Sequence, residues 1–340
     1  MTSVVVFEPG KVGLAERPKP EIGEGEALLR VRMVGLCGSD VNAFRGKNPL
    51  ATYPRVLGHE IAATVEDVRG VVPAGVTMGM RVTVSPCTNC GQCASCRRGR
   101  PNACQWNQTL GVQRDGALTT FIKAPTSRIF PAADLPFQTL ALVEPLTVGF
   151  HAVSRGRVAA SDIVAVIGCG GVGLGAIAGA AVRKSTVIGI DVDDAKLDLA
   201  RKAGAAHVIH SQREDPHVRL QELTEGLGPD VVIEAIGLPS TFRCAVEEVA
   251  FTGRVVYIGY AKEPVSYETR LFVQKELDIL GSRNAMPEDF VAVIDTLRAG
   301  AFPVDDTISQ IVSLEETGEA LRAWSADPAR ISKILVRLDS

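Results

Sequence analysis

The sequence has no strong excess of either charge. It sets 36 Lys and Arg against 39 Asp and Glu, a formal net charge of −3, which gives no electrostatic reason to expect nucleic acid or an anionic membrane as partner. No repeat of fixed period and no low-complexity tract interrupts the 340 residues, so solenoid and disordered classes drop out. The opening MTSVVVFEPGK has neither a basic n-region nor a long apolar core. A secretory signal is therefore not expected, and the chain reads as cytoplasmic. Only Ile163–Val182 runs the twenty residues without a charge that a membrane span needs, with Gly171, Gly175 and Gly179 imitating a small-residue dimer face. Six glycines crowd that stretch, a strand pattern follows it and no second such stretch accompanies it, so it is read as part of a soluble fold.

The same stretch is the best-defined unit in the chain. Ile163–Ile167 is a five-residue apolar run of the kind buried in parallel sheets. Then come GCGGVG (Gly168, Gly170, Gly171, Val172, Gly173), an Ala-rich segment of helical length, and a β-branched run ending in Asp191. In this order the glycines permit a tight turn, close approach to a pyrophosphate and close helix–strand packing. The helix start offers unpaired N–H groups to phosphates. Asp191 can accept from both hydroxyls of an adenosine ribose and would repel a 2′-phosphate, so NAD is favoured over NADP. Further contacts are expected at Ala235, Ile236, Ile258 and Gly259, beyond the carboxyl ends of later strands.

Hydrophobic content of 46% and length allow two globular domains. Residues 1–148 alternate short apolar–polar runs with Gly/Pro turns, the texture of a β-barrel or partly open sheet with few helices. Residues 149–284 alternate β and α patterns with six strands, as in a doubly wound parallel sheet. Residues 285–340, with helices at Pro287–Gly300 and Glu315–Ala326 and a closing strand at Lys333–Leu338, are expected to complete the first domain. The fold class is thus α/β, a β-rich domain plus a dinucleotide-binding domain.

Five of eight cysteines fall between Cys87 and Cys104. Cys90-x2-Cys93-x2-Cys96-x7-Cys104 suits four thiolates on one tetrahedral zinc with no open position, a structural site. Cys87 leaves the register open, since Cys87, Cys90 and Cys93 share the same spacing. Arg97, Arg98 and Arg100 beside the knuckle read as a solvated face rather than a nucleic-acid finger. A second set is scattered: Cys37 in GLCGSD, His59 and Glu60 in GHE, and Glu144 in VEPL. Each alone reads as a core residue; together they have the donor types of a catalytic zinc.

These motifs, with CGSD (37–40), YPRVLGHE (53–60) and VEPLTVGFHA (143–152), make the whole chain resemble the medium-chain zinc-dependent alcohol dehydrogenases, nearest their polyol, threonine and sugar-acid branch. The first domain is then GroES-like and the second a Rossmann domain. RGKNPLATYPRVLGHE (45–60) is similar to dehydrogenases of six-carbon sugar acids such as L-galactonate or L-gulonate. The resemblance implies two zinc ions and NAD, a small hydroxylated substrate, and a homo-oligomer, tetramer or dimer. It makes Cys37 and His59 ligands of a catalytic zinc, Glu60 a ligand that can exchange with water, and Glu144 a fourth candidate. Asp40 would orient His59, and Ser39 would begin the proton relay. Asn42 departs from the histidine many relatives carry; it cannot titrate, so water or Glu60 would have to pass the proton. A substrate carboxylate calls for arginine, and Arg45, Arg114 and Arg283 are the candidates. Competing readings are a threonine or small-diol dehydrogenase on the same zinc, and a catalytically silent NAD-binding regulator.

Overall fold

The protein was described from a computed structural model covering residues 1–70, 76–327 and 331–338. Its contacts divide it into two compact units, Met1–Glu144 with Val304–Ser340, and Pro145–Pro303. In chain order the strands are β1 (Thr2–Glu8), β2 (Lys11–Glu16), β3 (Glu26–Gly35), β4 (Arg55–Val56), β5 (Glu60–Val68), β6 (Arg81–Val84), β7 (Phe121–Pro125) and β8 (Ile129–Pro131). They continue with β9 (Ile163–Ile167), β10 (Thr186–Asp191), β11 (His207–His210), β12 (Val231–Glu234), β13 (Arg254–Tyr257), β14 (Asp278–Gly281), β15 (Gln310–Ser313) and β16 (Ile334–Arg337).

Alternation builds the first unit. In β3, Leu29, Val31 and Met33 are buried while Arg30 and Arg32 are partly exposed, the period of two that separates the faces of a sheet. The main sheet runs β15-β16-β3-β5-β6-β8, with β7 also on β3, and a smaller sheet runs β2-β1-β4. One register decides where the chemistry collects. Gly35 at the end of β3 pairs with Glu60 at the start of β5 and with Leu335 of β16. Cys37, His59, Glu60 and Lys333 therefore emerge at the same end of the sheet, although they come from three distant parts of the chain. The helix Gly38–Phe44 that follows β3 is an element the β-rich sequence texture does not announce.

The second unit is a six-stranded parallel sheet in the order β11-β10-β9-β12-β13-β14. Its strand order reverses between β9 and β12, the doubly wound topology whose ligands sit beyond the carboxyl ends of the strands at that switch. Val164–Ile167 and all of β12 are buried, which is why both read as unbroken apolar runs. The helix Gly171–Val182 is apolar nearly all round because it is buried in this unit, not in lipid. Among the described residues no helix is long and apolar enough to cross a membrane.

The chain returns to the first unit at Val304, later than residue 285. The helix Pro287–Arg298 belongs to the second unit because Phe290, Val293, Ile294 and Leu297 are buried there. Asp289 on this helix meets the buried His151 ring at 2.8 Å. The apolar spacing announces the helix but not the partner it packs on.

Candidate active site

The four-cysteine loop is closed within itself. The sulfurs of Cys90, Cys93, Cys96 and Cys104 all lie within 4.8 Å of one another. Cys93 Sγ is 3.5 Å from Cys96 Sγ and 3.8 Å from Cys104 Sγ. A disulfide needs about 2.05 Å, whereas sulfurs around a tetrahedral zinc with ~2.3 Å bonds lie roughly 3.8 Å apart. Backbone N–H groups of Cys90 and Trp106 donate to Cys104 Sγ, and that of Cys93 donates to Cys90 Sγ, each at 3.3 Å. The Ser95 hydroxyl and neighbouring N–H groups hold the Cys93 thiol down to about 5, so the thiolate a metal requires is favoured. The donor set fits zinc. Cys87 stands apart and meets Thr109 instead, Sγ to Oγ1 at 3.6 Å, which resolves the register.

At the converging end of β3, β5 and β16, one ligand atom each from Cys37, His59 and Glu60 falls within 4.8 Å of the others. Cys37 caps the helix Gly38–Phe44, and Asp40 in its first turn accepts from the Cys37 N–H at 2.9 Å and from the Gly58 N–H at 3.1 Å. One buried carboxylate thus ties the backbones on which Cys37 and His59 sit. His59 does not donate a hydrogen bond to Asp40. His59 Nδ1 is 3.9 Å from Asp40 Oδ1 and has no partner, outside hydrogen-bond range, while the two carboxylate oxygens accept from backbone N–H groups. Asp40 acts on His59 through charge. Burial works against a protonated ring, but Asp40, Cys37 and Glu144 hold the His59 pKa well above its ordinary value.

Glu144 is not among the three groups that meet. It is close enough to influence His59 and Glu60, and burial pushes its pKa up to about 7. Asp40, Glu60, Glu144 and the Cys37 thiol surround one imidazole and one ammonium. The raised His59 value, held up by Asp40, Cys37 and Glu144, reflects this excess of acidic groups, which a divalent cation would correct. Ser39, two residues beyond Cys37, has a buried Oγ with no hydrogen-bond partner. An open ligand set with an unpartnered hydroxyl nearby fits a catalytic metal and a substrate hydroxyl.

Sequence reasoning missed Lys333. Its Nζ lies 2.7 Å from both Glu60 oxygens and 3.2 Å from the Leu36 carbonyl. A lone Lys ahead of an apolar closing strand was the available signal. The three arginines separate. Arg45 donates from Nε to Ser325 Oγ at 2.7 Å and from its NH2 group to the Ser325 carbonyl, so it braces the helix Thr317–Ala326. Arg283 is exposed on the second unit. Arg114 is partly buried in the first, and its Nε has no partner.

In the second unit, Gly168 follows β9 with φ +99°, and a Cβ at Gly173 would lie 1.8 Å from the Gly168 carbonyl oxygen. Only glycine allows that turn and that approach. A Cβ at Gly170 or Gly171 would find nothing within 4 Å beyond its own stretch of backbone, leaving room for phosphate against the helix start Gly171–Val172. Asp191 accepts from Cys169 N at 2.8 Å and Val192 N at 2.7 Å, which fixes its carboxylate at the end of β10. Across the switch point, Glu234 Oε1 accepts from the N–H groups of Ile236 and Gly237 at 2.9 and 2.8 Å. Glu234 O likewise accepts from Ile258 N and Gly259 N at 2.9 and 3.2 Å. Ala235, Ile236, Ile258 and Gly259 are thereby gathered around one buried acid, a second feature the sequence did not show.

Comparison with known proteins agrees with both halves. Residues 23–134 match the alcohol dehydrogenase GroES-like domain and residues 171–299 the zinc-binding dehydrogenase domain. The chain is 34% identical to an uncharacterized zinc-type alcohol dehydrogenase-like protein of Haemophilus influenzae, over 98% of this chain and 97% of that one. It is 32% identical to L-galactonate-5-dehydrogenase of Escherichia coli, over 94% of each. The crystal structure of the E. coli alcohol dehydrogenase RspB with NADH superposes with a TM-score of 0.89 at 28% identity, covering 99% of both chains.

Proposed function

The chain belongs to the zinc-binding medium-chain alcohol dehydrogenases, in their polyol and sugar branch, and from that premise we propose that it oxidises a secondary alcohol of a sugar acid, an aldonate such as L-galactonate or L-gulonate, with NAD+ as acceptor. The observation that carries the reading is the meeting of Cys37, His59 and Glu60 within 4.8 Å, in a chain whose Ser39 hydroxyl is buried and unpartnered. A silent regulator has no use for such a ligand set. The likeness to L-galactonate-5-dehydrogenase and an unpaired arginine in the same unit favour an acid over threonine or a neutral diol.

Cys37, His59 and Glu60 would hold the catalytic zinc, with Glu144 in reserve, and Cys90, Cys93, Cys96 and Cys104 the structural one. Zinc at the first site supplies a Lewis acid that eases deprotonation of the substrate hydroxyl, and NAD on the glycine turn supplies the hydride acceptor. Asp40 keeps Cys37 and His59 in register through their backbones, and Lys333 keeps the Glu60 carboxylate in place. Ser39 Oγ accepts a hydrogen bond from the reacting hydroxyl and hands its own proton onward. Asn42, one turn along the same helix, can relay only by way of water. Asp191 receives the adenosine ribose hydroxyls.

The test is NAD+ reduction by L-galactonate, L-gulonate, sorbitol and threonine, with NADP+ in parallel and zinc counted per chain. Turnover of an aldonate with NAD+ and about two zinc ions per chain is expected. Preferred oxidation of threonine would replace the substrate, and one zinc with no turnover of any alcohol would overturn the enzyme reading.

A further inference from the structure

Among the cations of the first unit that stand without a counter-ion in the described residues is Arg114. Arg114 is partly buried, its Nε is buried without a hydrogen-bond partner, and among the described residues it makes no ion pair. A guanidinium stays charged at any working pH, and an unpaired charge away from water is costly. Burial works against this charge, and the neighbouring Arg128 adds to the penalty. The adjacent Asp115 gives no relief. It turns the other way, to Arg17, to Arg55 Nη1 at 3.2 Å and to the Val56 N–H at 3.1 Å.

The loop that carries Arg114 is built onto the metal-site segment. Gly116 N donates to the Val56 carbonyl at 2.7 Å, Ala117 N to that of Gly58 at 2.9 Å, and Leu118 N to that of Leu57 at 3.0 Å. A Cβ at Gly116 would lie 2.4 Å from both the Leu57 and Gly58 oxygens, so the loop lies backbone on backbone against the residues leading into His59. The start of the loop is tied too, where Thr109 pairs with Cys87. Cys87 is within electrostatic reach of Glu144 and His59, and also of Arg114. The backbone that carries Arg114 is therefore fixed against the metal-site segment, and among the described residues no carboxylate pairs with its guanidinium.

We propose that Arg114 is the specificity-determining residue of this site, receiving the anionic end of the substrate while the Cys37–His59–Glu60 cluster receives its reacting hydroxyl. This assignment rests on the sugar-acid reading for the identity of the anion, a carboxylate. A phosphate can likewise accept two parallel hydrogen bonds from a guanidinium, so the test separates the two.

Holoenzyme and the variants Arg114→Ala and Arg114→Lys, each checked for zinc content and melting temperature, are assayed with L-galactonate, galactitol and galactitol 1-phosphate. Binding of the same three compounds is measured by calorimetry. In Arg114→Ala the ratio of kcat/KM for L-galactonate to that for galactitol should fall about 10- to 100-fold, chiefly through KM, as loss of a charge-assisted pair implies. Arg114→Lys should fall between, and Arg45→Ala should leave the ratio where it was. An unchanged ratio in Arg114→Ala overturns the proposal. If the unaltered enzyme ignores L-galactonate but loses galactitol 1-phosphate turnover in Arg114→Ala, the anion role stands and the sugar-acid reading fails. If neither anion binds the unaltered enzyme, the Arg114 role is overturned whatever neutral alcohol is oxidised.

Discussion

Lys333 Nζ lies 2.7 Å from both carboxylate oxygens of Glu60, 273 positions away in sequence, and both side chains are almost wholly buried. Burial alone would drive the ammonium toward neutrality, but Glu60 holds its pKa above the ordinary value. The pair joins the strand leading out of His59 to the one that closes the first unit.

Removing one partner leaves an uncompensated buried charge, so Lys333→Met should destabilise the protein by about 3–5 kcal/mol and lower zinc occupancy at the Cys37–His59–Glu60 site. Lys333→Arg keeps the charge and should lose less. Urea unfolding with zinc analysis checks this, and an unaltered midpoint in Lys333→Met would contradict it.

Metal removal should reverse the usual acid sensitivity. Glu144, raised by burial to about 7, and His59, raised by Asp40 against its burial, both bind protons more tightly folded than unfolded. Their contribution is full below the unfolded values and fades as pH climbs through the folded ones. Chelated protein should lose on the order of 1–3 kcal/mol between pH 5 and pH 9, and zinc-loaded protein should show a flatter curve. Thermal melts at each pH give the measurement; a chelated protein that gains stability over that range would count against the charge-deficient site.

Asp191 has its carboxylate fixed by three backbone N–H groups, those of Cys169, Val192 and Asp193. Asp191→Ser should raise KM for NAD+ about tenfold or more by removing two charge-assisted ribose contacts and should narrow the preference over NADP+. Initial rates with both nucleotides decide the matter, and an unaffected KM for NAD+ would place the ribose elsewhere.

Asn42 sits in the same short helix as Ser39 and has no titratable group. Asn42→His should introduce a new ionisation into the kcat–pH profile, near the ordinary imidazole value of about 6.5. An identical profile would rule out a relay along this face of the helix.

The glycine turn and the cysteine knuckle were legible in the sequence for one physical reason. Their parts lie within a single supersecondary unit, so spacing alone brings them together. GCGGVG fixes its own turn, and Cys90 to Cys104 close on one another within one loop. Cys37, His59 and Glu60 could be grouped only by donor type and by resemblance, since nothing local relates residue 37 to residue 59.

Tertiary pairing decided the rest. The Gly35–Glu60 and Gly35–Leu335 registers bring Lys333 to Glu60, and docking of Gly116 on Leu57 and Gly58 leaves Arg114 unpaired where Arg45 is braced by Ser325. The helix Pro287–Arg298 joins the second unit because its apolar face packs there. Local spacing dictates which groups can share a turn, whereas the choice among three similar arginines depends on which side chains the finished fold engages.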